Sequence, residues 1–193
     1  MVDFTKAMAD YLATEIQTIQ ALDLTQLNAA ANAILDARNR GGTIYTFGNG
    51  GSAATASHMV CDFAKGATEC LKGKKFRFEC LCDNTPIVMA IANDICYEDV
   101  FLFQLQDKLQ AEDLVIGISG SGNSENVLRA VRYAKEMGVP VIGMTGYSGG
   151  KLRELADYPM HVAIHDMQIA EDLHMMFDHM LLRVLDMCVK HGG

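Results

Sequence analysis

The sequence predicts an α/β protein: a three-layer α/β/α sandwich on a five-stranded parallel sheet, preceded by two helices. Three observations predict it. From about residue 43 onward, short apolar runs alternate with helical stretches. Most of the strand-like runs are apolar, as strands covered on both faces must be. Two glycine- and serine-rich turns each fall between a strand-like run and a helix, where ligands enter open α/β sheets.

The elements follow in order. Residues 4–22 carry apolar side chains at helical spacing, and residues 24–37 form a second, alanine-rich helical stretch. Gly41-Gly42 is the first strong break. Strand-like runs then occupy 43–47, 76–82, 114–118, 139–144 and 160–164. Helical stretches are expected at 52–66, 85–92, 97–110, 124–137, 151–156 and 168–190. No repeat or linker interrupts this alternation, so residues 1–193 read as one domain. Its first 40 residues form a helical extension ahead of a core at 41–193. The N-terminal helices and the Met-rich last helix carry more apolar surface than one side of the sheet can cover, so self-association is expected.

Composition narrows the function. At 193 residues, half of them hydrophobic and 21% charged, the chain can bury a sizeable core. No apolar run approaches the roughly 18 residues that span a bilayer, so no membrane partner is expected. Residues Met1 to Lys6 lack the basic and apolar regions of a signal peptide, so a cytoplasmic location is expected. A net charge of −8 argues against nucleic acid as the ligand. None of the six cysteines, Cys61, Cys70, Cys80, Cys82, Cys96 and Cys188, forms a C-x-x-C pair, so they read as small core residues rather than a disulfide framework.

The first turn is Gly48-Asn49-Gly50-Gly51-Ser52. Its glycines permit close backbone approach to a ligand, and Ser52 is placed to cap the following helix, whose free N–H groups favour an anion. The second is Ser119-Gly120-Ser121-Gly122-Asn123-Ser124, where serine hydroxyls and backbone N–H groups offer neutral donors to a phosphate dianion. Neither turn fits the G-x-G-x-x-G dinucleotide fingerprint or the Walker A spacing, so a small phosphorylated metabolite is the expected ligand.

His58 and Asp62 lie four apart on the helix that follows the first turn, one turn apart on one face, where they can share a divalent metal. The last helix carries Glu171, Asp172, His174, Asp178 and His179 among apolar residues. Asp172 and Asp178 are expected on a solvated face, and His174 in a core or interface. Glu171 and His179 are eight residues apart, about 12 Å of helix rise. If both are ligands of one ion, the helix is distorted or two subunits share the site; a subunit-interface site is the expectation.

The segments Phe47 to Ser52 and Gly117 to Ser124 resemble the corresponding loops of the sugar isomerase (SIS) domain family, and within it the chain is most similar to the phosphoheptose isomerases. The resemblance implies conversion of sedoheptulose 7-phosphate to D-glycero-D-manno-heptose 7-phosphate by a homotetramer with a zinc site. It maps the metal ligands to His58, Asp62, Glu171 and His179, and the acid–base pair to Asp62 and His179. Sugar contacts map to Asn49, Gly50 and Gly51, to Asn93 and Asp94, and to Asp62 and Glu171; phosphate contacts map to Ser52, Ser119, Gly120, Ser121 and Ser124. The chain departs from the family pattern at four of its positions. Asp62 stands for a Glu, Glu171 for a Gln, Gly66 for an Arg and Gly120 for a Thr. The added carboxylate also suits Mn²⁺, Mg²⁺ or Fe²⁺. Other members of the family are non-catalytic: some sense sugar phosphates, and one associates with the replication initiator DnaA. The retained histidines and carboxylates favour catalysis.

Overall fold

A computed structural model describes residues 1–66 and 74–190. The elements are α1 (Thr5–Gln20), α2 (Leu24–Arg40), β1 (Ile44–Gly48), α3 (Gly51–Cys61), β2 (Phe78–Cys80), α4 (Thr85–Asp94), α5 (Leu102–Leu105), β3 (Leu114–Ser119), α6 (Glu125–Glu136), β4 (Val141–Thr145), α7 (Gly150–Leu155), β5 (Tyr158–His161) and α8 (Met167–Lys190). The five strands form one parallel sheet in the order β2-β1-β3-β4-β5. The expected fold class is therefore observed.

Burial follows strand position. The central strands β1, β3 and β4 are buried at every residue. One core packs α2, α3 and α8 against one face of the sheet, through Ile34, Met59, Phe63, Leu173 and Phe177. A second packs the helices between β2 and β5 against the other face, through Phe47, Phe101, Leu105, Leu128 and Val131. Pro159 sits on β5, an edge strand, where its missing N–H breaks no ladder bond on the free side.

Helix ends are set by local chemistry. The Asp23 carboxylate accepts from the Thr25 and Gln26 backbone N–H groups at the start of α2, and Gly41, at φ 87°, closes its end in the left-handed region. Asp166 does the same for α8, accepting from Gln168 and Ile169. Just beyond α3 the chain turns through a π-helical segment, Asp62–Gly66, a distortion that recurs at functional sites.

Four expectations need correction. The helix expected over 97–110 breaks into a single 3₁₀ turn, Tyr97–Asp99, and the four-residue α5, because Cys96 is extended and Asp107 is left-handed at φ 57°. The second strand is only three residues, being an edge strand paired on one side with β1. The last strand starts earlier than expected, its register fixed by pairing Tyr158 with Ile142. Ser52 is not the cap of α3: Gly50, at φ 54°, holds that position, and Ser52 is buried inside the first turn. Cys70 lies outside the described residues.

In the order 2-1-3-4-5, chain direction across the sheet reverses between β1 and β3, and the crevice beyond their carboxyl ends is the topological switch point. Both expected ligand loops leave the sheet there.

Candidate active site

The two turns meet at this crevice. A cleft is lined by Asn49 and Ser52 from the first turn, Ser119, Gly120, Ser121 and Ser124 from the second, and Met167 and Glu171 from α8. The serine hydroxyls converge: Ser119 Oγ lies 3.1 Å from Ser124 Oγ and 3.5 Å from Ser121 Oγ. Ser124 begins α6 without using its side chain as a cap, which leaves its hydroxyl and the first N–H groups of α6 for a ligand. Gly122 is required here. Its φ is 67°, and a Cβ would run into the Gly149 carbonyl. At Gly120 a Cβ would stand 2.9 Å from Met167 Sδ, so this chain fills with Met167 the space that a side chain at 120 would take.

Asn49 is held by three hydrogen bonds to two partners. It exchanges reciprocal amide hydrogen bonds with Asn126, donating across 2.9 Å and accepting across 2.8 Å. The Tyr97 hydroxyl donates to Asn49 Oδ1 across 2.7 Å. Nothing in the sequence pattern marks Tyr97 or Asn126, because their partner is remote in sequence. Asn93 and Asp94 pair with each other at the exposed end of α4, Asn93 Nδ2 donating to Asp94 Oδ1 across 2.7 Å. They are not among the residues lining the cleft.

A second cluster lies farther along the same two helices. His58 on α3 and His179 on α8 bring their Nε2 atoms to 3.1 Å. Asp62, on the π-helical turn, is 3.6 Å from His58 Nε2 and 3.9 Å from His179 Nε2. Asp178 lies 3.9 Å from His58 Nε2. One donor atom from each of these four residues lies within 4.8 Å of the others. The two imidazoles face solvent, while the Asp178 side chain is completely buried beneath them. This corrects the expectation of a solvated Asp178. Burial, with the Asp62 charge adding to it, pushes the Asp178 carboxyl up to about 7. Two imidazoles and a carboxylate at this spacing fit a divalent cation by donor type and by convergence.

Glu171 is not in that cluster. Helix α8 is regular from Met167 to Lys190, so Glu171 and His179 stand about 12 Å apart along it. Instead the Glu171 carboxylate packs on Gly51, where an added Cβ would meet Oε1 at 2.6 Å. His174 is buried as expected. Its ring nitrogens face the Thr145 backbone without a hydrogen bond of normal geometry, and burial pulls the imidazole down to about 4. Asp172 is exposed as expected and accepts the Tyr11 hydroxyl, which ties α1 to α8.

A parallel sheet with glycine- and serine-rich turns at its switch point and an imidazole–carboxylate cluster beside them is the architecture of a SIS domain. Residues 7–146 match the SIS domain, and the chain belongs to that family. It is 34% identical over 179 residues to the probable phosphoheptose isomerase of Thermoplasma volcanium, covering 93% of this chain and 90% of the relative. It is also 34% identical over 188 residues to the phosphoheptose isomerase of Aliarcobacter butzleri, covering 96% and 95%. The structure of phosphoheptose isomerase GmhA from Neisseria gonorrhoeae superposes with a TM-score of 0.87 at 28% identity, over 96% of this chain and 100% of that one. The resemblance read from the two loops therefore extends across nearly the whole chain. Among the described residues, no helix is long and apolar enough to cross a membrane.

Proposed function

We propose that the chain is a phosphosugar isomerase that interconverts sedoheptulose 7-phosphate and D-glycero-D-manno-heptose 7-phosphate. One observation carries the reading. The serine-lined turn and the imidazole–carboxylate cluster lie at two points along the same helices, separated by the stretch of α8 from Glu171 to His179. A seven-carbon sugar phosphate in open-chain form reaches from one to the other; a bare phosphate does not.

Converting the ketose to the aldose moves a proton from C1 to C2 through an enediolate, while a second proton passes from O1 to O2. Asp62 and His179, 3.9 Å apart, both reach a two-carbon unit between them. One takes the C1 proton and returns it at C2; the other moves the proton between the oxygens. His58, Asp62 and His179 would hold a divalent ion, zinc by the family pattern, which would supply polarisation of the carbonyl and compensation of negative charge on the oxygens. Ser52, Ser119, Ser121 and Ser124 hold the phosphate, with the backbone at Gly120, and fix the reacting carbons by anchoring the far end. Asn49, Gly50, Gly51 and Glu171 line the path between, and the family resemblance assigns Asn93 and Asp94 to the sugar as well.

Helix α1 supports self-association, and the homotetramer and the cytoplasmic location are carried over from the family resemblance. Phe4, Met8, Leu12, Ile16 and Ile19 are all exposed along it, an apolar stripe at helical spacing that a second copy would bury. The test is turnover. The protein loaded with Zn²⁺, Mn²⁺ or Fe²⁺ is incubated with sedoheptulose 7-phosphate and, separately, with hexose and pentose phosphates, and products are read by NMR. An aldose heptose 7-phosphate is expected. No turnover with any sugar or metal would make the chain a binding protein.

A further inference from the structure

We infer that Met167 is a positioning residue for the substrate's phosphate, and that it acts as one steric unit with Gly120. The thioether stands where a side chain at 120 would be and covers the rim of the serine-lined cleft. This rests on the phosphosugar reading above and names the residue that shapes its anionic end.

Position 120 is glycine for reasons of space. Gly120 is not among the residues with positive φ, so its backbone conformation does not call for glycine. A Cβ there would stand 2.9 Å from Met167 Sδ and 3.6 Å from the Met167 methyl carbon. The backbone is pinned on its other side. The Gly120 carbonyl accepts the Gly146 N–H across 2.8 Å, and Gly146 is itself packed on α8, where an added Cβ would come within 2.8 Å of Ala170 Cβ. The second turn, the exit from β4 and the start of α8 are interlocked. A side chain at 120 is therefore accommodated only if Met167 swings out of the cleft.

Met167 is the first residue of α8. The start of that helix is fixed by Asp166, whose carboxylate accepts from the Gln168 and Ile169 N–H groups. The Met167 side chain lines the cleft with Ser119, Ser121 and Ser124 and stays 38% exposed, so it forms the rim rather than the floor. The donors beneath it are hydroxyls and backbone N–H groups. Neutral donors hold a dianion more strongly the less water reaches them. A thioether excludes water and is too weak an acceptor to compete with the phosphate for those donors.

Inorganic phosphate is titrated by calorimetry into the chelator-stripped protein, and KM and kcat for sedoheptulose 7-phosphate are measured on the metal-loaded protein. Met167→Ala should weaken the phosphate Kd by about fourfold or more, the effect of one methylene's worth of apolar cover, and raise KM in step with kcat nearly unchanged. Met167→Leu keeps the apolar bulk and should stay within about twofold of the parent. Gly120→Ala pushes Met167 aside and should weaken Kd as Met167→Ala does. In the double variant the new methyl group enters the vacated space, so Kd should be no weaker than in Met167→Ala rather than the product of the two losses. An unchanged Kd in Met167→Ala, independent losses in the double variant, or no phosphate binding by the parent overturns the inference. If Gly120→Ala does not fold, Met167→Ala and Met167→Leu decide the matter with the turn intact, and equal Kd values for the two overturn it. No sugar is present in these titrations, so a failed isomerase assay leaves their result standing, and the reverse.

Discussion

The Nε2 atoms of His58 and His179 stand 3.1 Å apart although 121 residues separate them in the chain. The contact exists because α3 and α8 share one core, through Met59 on the first and Leu173 and Phe177 on the second. Two imidazoles are held edge to face at this distance with Asp62 between them, and the proposed reaction assigns proton transfer to Asp62 and His179. Asp62→Asn and His179→Gln are each expected to lower kcat on sedoheptulose 7-phosphate by about 10²-fold or more, the usual contribution of a general acid or base. Steady-state kinetics on the two variants checks this; a fall in KM-determined affinity alone would assign them to binding.

Tyr97 acts on Asn49 from outside the cleft. Its hydroxyl donates to Asn49 Oδ1 across 2.7 Å, which fixes the amide so that Asn126 receives the Asn49 N–H. Removing that donor in Tyr97→Phe leaves Asn49 held by Asn126 alone and costs about 1 kcal/mol, the net worth of such a bond. The expected result is a KM raised about fivefold with kcat nearly unchanged, measured on the same substrate.

In the proposed reaction the serine ring holds the phosphate. Each hydroxyl bound to a dianion contributes about 1.5–3 kcal/mol. Ser119→Ala and Ser124→Ala should each raise KM about tenfold or more, and the inhibition constant of inorganic phosphate should rise in parallel. A variant that changes the sugar KM but not phosphate inhibition would move that serine from the phosphate to the sugar.

His174 sets an acid limit on stability. Burial, with the His161 imidazole adding to it, holds the group near 4 in the folded chain, below its ordinary value of about 6.5 when unfolded. Between those values the unfolded state binds the extra proton, so folding stability is full above about pH 6.5 and is lost as pH falls toward 4. The loss reaches about 3 kcal/mol. His174→Leu lacks the titrating group. The melting temperature of the parent protein should therefore fall relative to this variant as pH is lowered from 7 to 4, in chelator-treated samples. A constant difference would show that His174 is not the group responsible.

Much of this was legible without coordinates. Strand–helix alternation from Thr43 onward dictates the parallel sheet, because apolar strands need cover on both faces and short connections allow few topologies. The turns at Gly48–Ser52 and Ser119–Ser124 are local in sequence, and so is the one-turn spacing of His58 and Asp62. Local spacing alone brought those groups to notice. The tertiary structure decided which distant elements meet. Only the packing of α8 on α3 buries Asp178 beneath two imidazoles, and only the approach of α8 to Gly51 turns Glu171 toward the serines. The Tyr97 hydroxyl reaches Asn49 because the helix expected over 97–110 breaks after one turn. A helical period tells which residues share a face; what that face meets depends on helix axes set by the whole core, and no local spacing encodes it.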